Sequence, residues 1–442
     1  MIWGSWRSQI AAALLPLLLF AEQVALGMNG PVLGGTAAVI EIVLAIVMLL
    51  LLRPDAGFWT RAWPVFLFVA ASLIWIALPA AAPGLLGARS NPYIAPDLAL
   101  SGLVRGFGTA AVLLAGAFLG YRRGLMRIAL AWLVGLGSLL ILVGLWIREF
   151  DPAHVWGYQK GILLDRFTGT LLNANASGCV FGVIALLGLG LMLALLRERN
   201  PVDPQPRETA QQVMAALAMV GGIGACAITG SRTALLLTLL VGVTLALSDR
   251  ALRRFFQRGF VIGVAGALLL AAVAIFVSLD TGLDRLVMAK QDGADRVILW
   301  NHYYEMAAAS PWFGYGPLAF SEANLASLQS MSDASNFWYV NAPHNVVLSL
   351  LLQGGWPYLI LISLAIAIMF AHMMLTRRQS RADPRLKSVI GALLLILGCS
   401  MVDIALDVPA IVSLATALLA MGWGRALRIS ADRQEGSENS AA

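Results

Sequence analysis

The sequence predicts an all-α, polytopic membrane protein, and two observations lead to that prediction. Of the 442 residues, 59% are hydrophobic and only 12% are charged, whereas soluble domains carry about 25% charged residues. Apolar runs of about 20 residues, the length that crosses a bilayer core about 30 Å thick, recur along the whole chain. We therefore expect a single integral membrane domain over residues 1–442, with no internal repeat and no separate soluble domain.

Twelve apolar runs are predicted to span the membrane. They cover residues 10–27, 33–52, 63–82, 99–121, 128–147, 174–196, 213–229, 232–248, 260–279, 346–375, 388–406 and 408–425. The first run contains Glu22 and Gln23 and ends without a small-residue cleavage pattern, so we expect a retained helix rather than a signal peptide. The polar interval 280–345 is predicted to form a large loop between the ninth and tenth helices.

The distribution of Lys and Arg predicts the orientation of the chain. With the N-terminus in the cytoplasm, the cytoplasmic connectors and both tails hold 21 of the 30 basic residues, as the positive-inside rule requires. The large loop, 280–345, then faces the periplasm or the cell exterior. Because topology accounts for the basic excess, the net charge of +6 does not indicate a nucleic-acid partner.

The three cysteines give no indication of a disulfide or of a metal site. Cys179, Cys226 and Cys399 each lie inside an apolar run and share no metal-ligand spacing, so we expect buried free thiols. The sequence also lacks acidic ligand clusters, an HExxH motif and a phosphate-binding glycine loop.

The large loop is predicted to contain surface helices. An amphipathic helix is expected from Asp295 to Ser310, with Val297, Trp300, Tyr304 and Ala307 on one face. Its aromatic content is typical of a helix lying at a membrane surface, and a structural lid is equally consistent. A turn-rich segment follows at 312–317, and 321–331 is a weaker helix candidate.

One of the four histidines stands out. His344 is on the predicted outer side, at the end of the large loop and at the start of an apolar helix. Neutral imidazole is the usual general base near pH 7, although a lone histidine often serves only as a cap or in packing. His372 is expected to pack near a cytoplasmic helix end, His302 to be solvated, and His154 gives no indication.

Three arginines are predicted to share the depth of His344. Arg166 precedes the sixth span, Arg232 lies in the outer turn between spans seven and eight, and Arg296 opens the amphipathic helix. Guanidinium groups are the preferred partners of phosphate in fixed bidentate geometry, while the alternative is a solvated or snorkelling side chain. Arginines with a histidine at the outer leaflet indicate a lipid-borne phosphate leaving group, as in glycosyl transfer from a polyprenyl pyrophosphate.

Arg105 requires a separate explanation because it falls inside the fourth predicted span. A charged side chain at that depth needs a partner, a cavity or the interface. Glu22 and Glu41 are the acidic candidates, and the sequence does not choose between them.

Four short stretches share a characteristic order, spacing and predicted membrane side. They are Arg166-Phe167-Thr168-Gly169 with Asn173-Ala174-Asn175, then Gly230-Ser231-Arg232, then Arg296 with Trp300 and Gly314-Tyr315-Gly316, and last His344-Asn345 with Gly354-Gly355. Together they resemble the O-antigen ligase family, whose relatives include O-antigen polymerases and protein O-oligosaccharide ligases. The resemblance covers about 165–357 and the twelve-span layout. The family commonly shows Asn-Pro-Asn where this chain has Asn173-Ala174-Asn175.

The resemblance implies a GT-C-like membrane glycosyltransferase of the bacterial inner membrane, with its active site facing the periplasm. The donor would be an undecaprenyl-pyrophosphate-linked glycan, and the acceptor a hydroxyl of lipid A-core or of another glycan. The three arginines would bind the pyrophosphate, and His344 would take the acceptor proton without metal or cofactor. The supporting residues would be Asn345, Asn175, Ser231 and Trp300.

Two alternatives remain at this point. A polymerase would use the same lipid-linked donor for both partners, and the motifs do not separate it from a ligase. A polysaccharide transporter would show polar residues along several spans and pseudo-repeated halves. The sequence has mainly Glu22, Glu41, Arg105 and Asp403 within predicted spans, and no repeat.

Overall fold

The prediction of an all-α polytopic protein is confirmed. A computed structural model describes residues 6–86, 92–122, 124–160, 166–198, 206–249, 282–379 and 383–441, in which the chain forms fourteen α-helices and one short hairpin. The helices are α1 (Trp6–Val24), α2 (Pro31–Leu52), α3 (Ala56–Ala81), α4 (Pro96–Tyr121), α5 (Leu125–Phe150), α6 (Ala174–Glu198), α7 (Pro206–Ile228), α8 (Arg232–Leu247), α9 (Gly282–Ala309), α10 (Phe320–Ser327), α11 (Met331–Phe337), α12 (Val346–Gln379), α13 (Pro384–Ser400) and α14 (Pro409–Ala441). The antiparallel hairpin pairs β1 (His154–Val155) with β2 (Tyr158–Gln159).

Eight of the described helices are long and apolar enough to cross a membrane: α2 to α7, α12 and α14. The predicted spans 10–27, 232–248 and 388–406 fall on the shorter helices α1, α8 and α13, of 19, 16 and 17 residues. The predicted span 260–279 lies outside the described residues. The total of twelve spans therefore stays a prediction.

The described helices fall into two compact units. The first comprises α1, α5 to α8, α13 and the start of α9, over residues 1–27, 124–291 and 377–399. Within it α6 packs against α5, α7 and α8. Small residues permit the close approach, since a Cβ at Gly182 would overlap Thr238, and one at Gly188 would overlap the backbone of α7. The predicted buried, free cysteines all lie here.

Ion pairs hold one end of this first unit together. The guanidinium of Arg385 on α13 forks onto both carboxylate oxygens of Glu198 on α6, at 2.9 and 3.0 Å. Arg197 reaches the buried Asp249, which follows α8, at 2.6 Å. These contacts join three helices at the end that the charge distribution predicts to be cytoplasmic.

The second unit comprises α2 to α4, most of α9, α10 to α12 and α14, over residues 28–123, 292–376 and 400–442. The helix α4 packs against α2 and α14. The Arg105 guanidinium lies over Gly34 and donates to the carbonyl of Gly30. Glu41, one of the two candidate partners of Arg105, lies on α2. Its carboxylate accepts a hydrogen bond from Ser413 Oγ on α14 at 2.5 Å.

The segment between α9 and α12 is anchored by a hydrophobic cluster in this second unit. Its buried members are Tyr303, Met306, Ala307, Ala323, Leu348, Leu351 and Leu352. The predicted face of α9 is therefore only partly right, because Tyr304 and Val297 are more than half exposed while Tyr303 is fully buried. The weaker helix predicted at 321–331 is instead α10 and α11.

The helix α12 breaks at Gly355, whose φ is +70°. The break releases the carbonyl of Leu352 and the N–H of Trp356 from the helix. Both groups pair with the preceding turn, since Tyr315 N–H donates to Leu352 at 2.7 Å and Trp356 N–H donates to Pro311 at 2.8 Å. The glycine stretches at 314–316 and 354–355 thus form one junction.

Candidate functional site

His344 lies two residues before α12 in an uncommon backbone conformation, with φ at +52°. The helix is capped by its neighbour, because Asn345 Oδ1 accepts from Val347 N–H at 2.9 Å and from Leu348 N–H at 3.2 Å. A capping role for His344 is therefore excluded. Left-handed non-glycine residues persist where surrounding contacts hold them, often at functional sites.

Asp403 faces the imidazole of His344. Its Oδ1 lies 3.6 Å from His344 Nδ1, an ion-pair distance that is longer than a hydrogen bond. Burial by itself would raise the pKa of the Asp403 carboxyl, but the His344 ring and the Ile404 N–H hold that pKa below its usual value. Asp403 is therefore ionised near neutral pH and lies on the Nδ1 side of the ring.

Arg296 approaches the same carboxylate from the other oxygen. Its Nη2 lies 3.4 Å from Asp403 Oδ2, and its side chain is 37% exposed. The structure thus groups Arg296 with the histidine and its aspartate. Trp300, one turn further along α9, has a buried indole N–H for which the described part of the chain offers no acceptor.

Asn345 connects the start of α12 to the turn that holds Asp403. Its Nδ2 donates to the carbonyl of Met401 at 3.0 Å, while Asp403 Oδ1 accepts from Ile404 N–H at 2.8 Å. Asn345 thus contacts the backbone two residues before Asp403, while its predicted supporting role stays a prediction.

A second carboxylate lies near His344. Asp407 Oδ1 accepts from Ser349 Oγ at 2.6 Å, and Ser349 Oγ accepts from Gln353 Nε2 at 3.0 Å. Burial, reinforced by Asp403, raises the pKa of Asp407 to about 6, although Ser349 and His344 oppose the shift. His344 thus interacts with two carboxyls whose pKa values are moved in opposite directions.

The other histidines have structural partners. His302 stacks on Phe337 with ring centroids 4.2 Å apart, so it is packed rather than freely solvated. His372 accepts from the indole N–H of Trp423 at 3.1 Å, which confirms packing. His154 pairs with Asp151 at 3.0 Å in an exposed position.

In the first unit, Arg166 is held against the turn that precedes α8. Its Nε and Nη2 donate to the carbonyl of Thr229 at 3.2 and 2.9 Å. Its Nη2 also donates to Asn175 Oδ1 at 3.3 Å. Two predicted site residues, Arg166 and Asn175, are therefore in contact.

The start of α6 explains how the chain turns without the family's proline. Asn173 Oδ1 accepts from the N–H groups of Asn175 and Ala176, both at 2.9 Å. This cap satisfies two free N–H groups of the helix. Ala174 is the first residue of α6, the position at which a proline would restrict the backbone to the helical φ. In this chain the Asn173 cap defines the helix start without a proline.

Arg232 is the first residue of α8 and is exposed. In the residues that the structure describes, its guanidinium makes no hydrogen bond or ion pair. The preceding turn is fixed by Gly230 at φ +70° and by Ser231, whose N–H donates to Thr229 Oγ1 at 3.2 Å. An exposed guanidinium of this kind is available to bind an anion such as phosphate.

The described ranges contain no group of three or more His, Cys, Asp or Glu arranged to hold a metal ion. The contacts of Asp403, Asp407 and Ser349 were not predicted from the sequence. One signal was available: Asp403, near the end of the predicted span 388–406, lies four residues before Asp407, which separates that apolar run from the next.

Comparison with known proteins supports the resemblance. Residues 215–363, about a third of the chain, match the sequence model of the family described as O-Antigen ligase. They include Arg232, Arg296, Trp300, His344 and Asn345, while Arg166 and Asp403 lie outside them. The predicted resemblance is thereby confirmed for this region.

A curated relative is similar over a shorter stretch. The General O-oligosaccharyltransferase of Acinetobacter baylyi (strain ATCC 33305 / BD413 / ADP1) is 36% identical over 77 residues. The match covers 17% of this chain and 13% of that protein, so the chain aligns with only a small part of its relative.

Proposed function

We propose that this chain is a membrane glycosyltransferase of the O-antigen ligase type. It transfers a glycan from undecaprenyl pyrophosphate to an acceptor hydroxyl, with lipid A-core as the expected acceptor, at the periplasmic side of the bacterial inner membrane. The observation that carries the proposal is the grouping of His344, Asp403 and Arg296, of which His344 and Arg296 lie in the region that matches the family.

His344 acts as the general base. Because Asp403 faces Nδ1, that nitrogen carries the proton, and Nε2 is left as the acceptor. Nε2 takes the proton of the acceptor hydroxyl while the hydroxyl oxygen forms a bond to the anomeric carbon of the donor. The bond between that carbon and the pyrophosphate oxygen breaks, and undecaprenyl pyrophosphate leaves. Asp403 stabilises the imidazolium that forms, and Arg296 keeps Asp403 ionised.

Arg166 and Arg232 bind the pyrophosphate of the donor. Arg166 is already oriented by Thr229 and Asn175, so little side-chain freedom is lost when the anion binds. Arg232 contributes an exposed guanidinium at the start of α8. The arginines counter the negative charge that develops on the leaving group.

The experiment compares variants of the purified protein in lipid nanodiscs, supplied with a lipid-pyrophosphate glycan, an acceptor and a chelator. We expect His344→Ala to lower transfer by about 10²- to 10⁴-fold, the usual contribution of a general base, while donor binding persists. Arg232→Ala should lose donor binding. The control, His154→Ala, removes an exposed histidine that pairs with Asp151 and should retain nearly normal turnover. Near-normal transfer by His344→Ala, or transfer abolished by the chelator, contradicts the mechanism.

A deletion strain separates the ligase from the polymerase. Loss of polymer from lipid A-core, with polymer still on the lipid carrier, supports the ligase. Single repeat units in place of long chains would assign the polymerase reaction instead.

A further inference from the structure

A β-turn in the second unit presents two large aromatic side chains to the outside. The turn covers residues 337–340 and is closed by the Val340 N–H, which donates to the Phe337 carbonyl at 3.1 Å. Its two central residues are Trp338 and Tyr339, which are 65% and 71% exposed. Central turn positions usually hold Gly, Pro, Asn, Asp or Ser, so neither aromatic ring is needed to form this turn.

Buried side chains of α9 and α10 anchor the turn. Asn324, which is 1% exposed, donates through Nδ2 to the carbonyls of Phe337 and Val340, at 2.8 and 3.4 Å. The amide is fixed in turn by Tyr303, whose hydroxyl donates to Asn324 Oδ1 at 3.0 Å. His302 stacks on Phe337. Buried contacts thus hold the backbone at both ends of the turn, while the two central side chains stay exposed.

The chemistry around the turn favours a sugar over a lipid surface. From Leu318 to Asn345 the sequence contains no Lys or Arg but two carboxylates, Glu322 and Asp333. Aromatic residues that anchor a protein to anionic lipid are usually accompanied by basic residues. Here their neighbours are hydroxyl and amide side chains, namely Ser332, Ser335, Asn336 and Asn341, which donate to and accept from hydroxyl groups.

We propose that Trp338 and Tyr339 form a stacking surface for an uncharged pyranose ring of the acceptor glycan. The proposal rests on the proposed transferase function and names the part of the acceptor that the protein holds. The C–H face of a pyranose is apolar and packs on aromatic faces, whose negative quadrupole attracts the C–H groups. Trp338 precedes His344 by six residues, a separation that spans at most about 20 Å, within reach of a short oligosaccharide.

The test uses the full chain in nanodiscs and core oligosaccharide released from lipopolysaccharide by mild acid. Saturation-transfer NMR without donor reports glycan binding, and steady-state kinetics separate the acceptor KM from kcat. We expect Trp338→Ala to lose most of the saturation transfer and to raise the acceptor KM about tenfold (about 1.4 kcal/mol), with kcat unchanged. Trp338→Phe, which keeps a ring, should recover most of the binding, and Tyr339→Ala should act as Trp338→Ala does.

Trp312→Ala is the matched control, because Trp312 is the same residue type, is equally exposed at 65% and belongs to the same unit. It should leave glycan binding unchanged. Unchanged binding and KM in both Trp338→Ala and Tyr339→Ala would overturn the proposal, as would a change only in lipid association. His344→Ala should still bind the oligosaccharide, so failure of the base mechanism and failure of the stacking surface give different results.

Discussion

At the scale of single residues, Asp403 and Asp407 show how position decides the chemistry of a carboxyl. They are four residues apart and both interact with His344, yet the pKa of Asp403 is lowered and that of Asp407 is raised. Asp403 touches a guanidinium and an imidazole, whereas Asp407 is buried against the neutral hydroxyl of Ser349. Carboxyls whose pKa values are pushed apart commonly have different roles; Asp403 is ionised throughout the neutral range, whereas Asp407 gains its proton as the pH falls through about 6.

We predict that Asp407→Asn stabilises the folded protein above pH 6. The folded pKa of about 6 is raised from 3.8, so the contribution of Asp407 is fully present below the unfolded pKa and is lost as pH rises through about 6. The variant should therefore gain on the order of 3 kcal/mol near pH 7.5 and much less near pH 4. Asparagine retains an acceptor for Ser349.

Thermal denaturation in detergent between pH 4 and 8 measures this difference. Asp403→Asn is the control of opposite sign. Because the pKa of Asp403 is lowered in the folded protein, its carboxylate stabilises the fold at pH values above the unfolded pKa, and this stability is lost as the pH falls. It should be destabilised near pH 7.5. An Asp407→Asn protein that is less stable than the parent at pH 7.5 would show that the Asp407 carboxylate is favourably paired.

The sequence predicted His344 because its type and its place at the end of a loop are local properties. Arg166 and Asn175 were placed in one predicted stretch because they are nine residues apart, but their contact was not predicted. The partner of His344 was not accessible, because Asp403 is distant along the chain and only the fold determines which carboxyl meets the ring. Arg296 was grouped with the phosphate ligands on its charge, its predicted depth and the family resemblance; the structure shows it beside Asp403, and phosphate binding by Arg296 stays a prediction.

At the scale of elements, the length of the apolar runs predicted most of the long helices, because a helix that crosses the bilayer must be long and apolar. It did not predict the break in α12, because Gly355 and Pro357 lie within an apolar run. The sequence also did not identify the buried face of α9. Tyr303 and Tyr304 are adjacent and of the same residue type, and only Tyr303 packs into the hydrophobic cluster that contains Leu351. Both features depend on partners that are remote in sequence.

We predict that Gly355→Ala destabilises the second unit by about 2 kcal/mol or more. The backbone there is left-handed, and a Cβ would overlap the carbonyl oxygen of Trp312. The change therefore disturbs the hydrogen bonds between the broken helix and the 311–315 turn. Gly35→Ala on α2 is the control, because a Cβ at Gly35 meets nothing within 4 Å. Equal melting temperatures for the two variants would contradict this role of the break.

At the scale of the whole molecule, the mechanism depends on which side of the membrane each segment faces. With 21 of 30 basic residues in the cytoplasmic connectors and tails, we expect a reporter fused after Asn200 to be cytoplasmic. A reporter within 321–335 should be periplasmic, where a lipid-linked glycan and its acceptor would meet His344. Alkaline phosphatase and green fluorescent protein fusions give opposite signals on the two sides, and a fusion after Arg433 should agree with the first. Matching signals from Asn200 and 321–335 would reject the orientation, and with it a periplasmic transferase, because His344 immediately follows that loop.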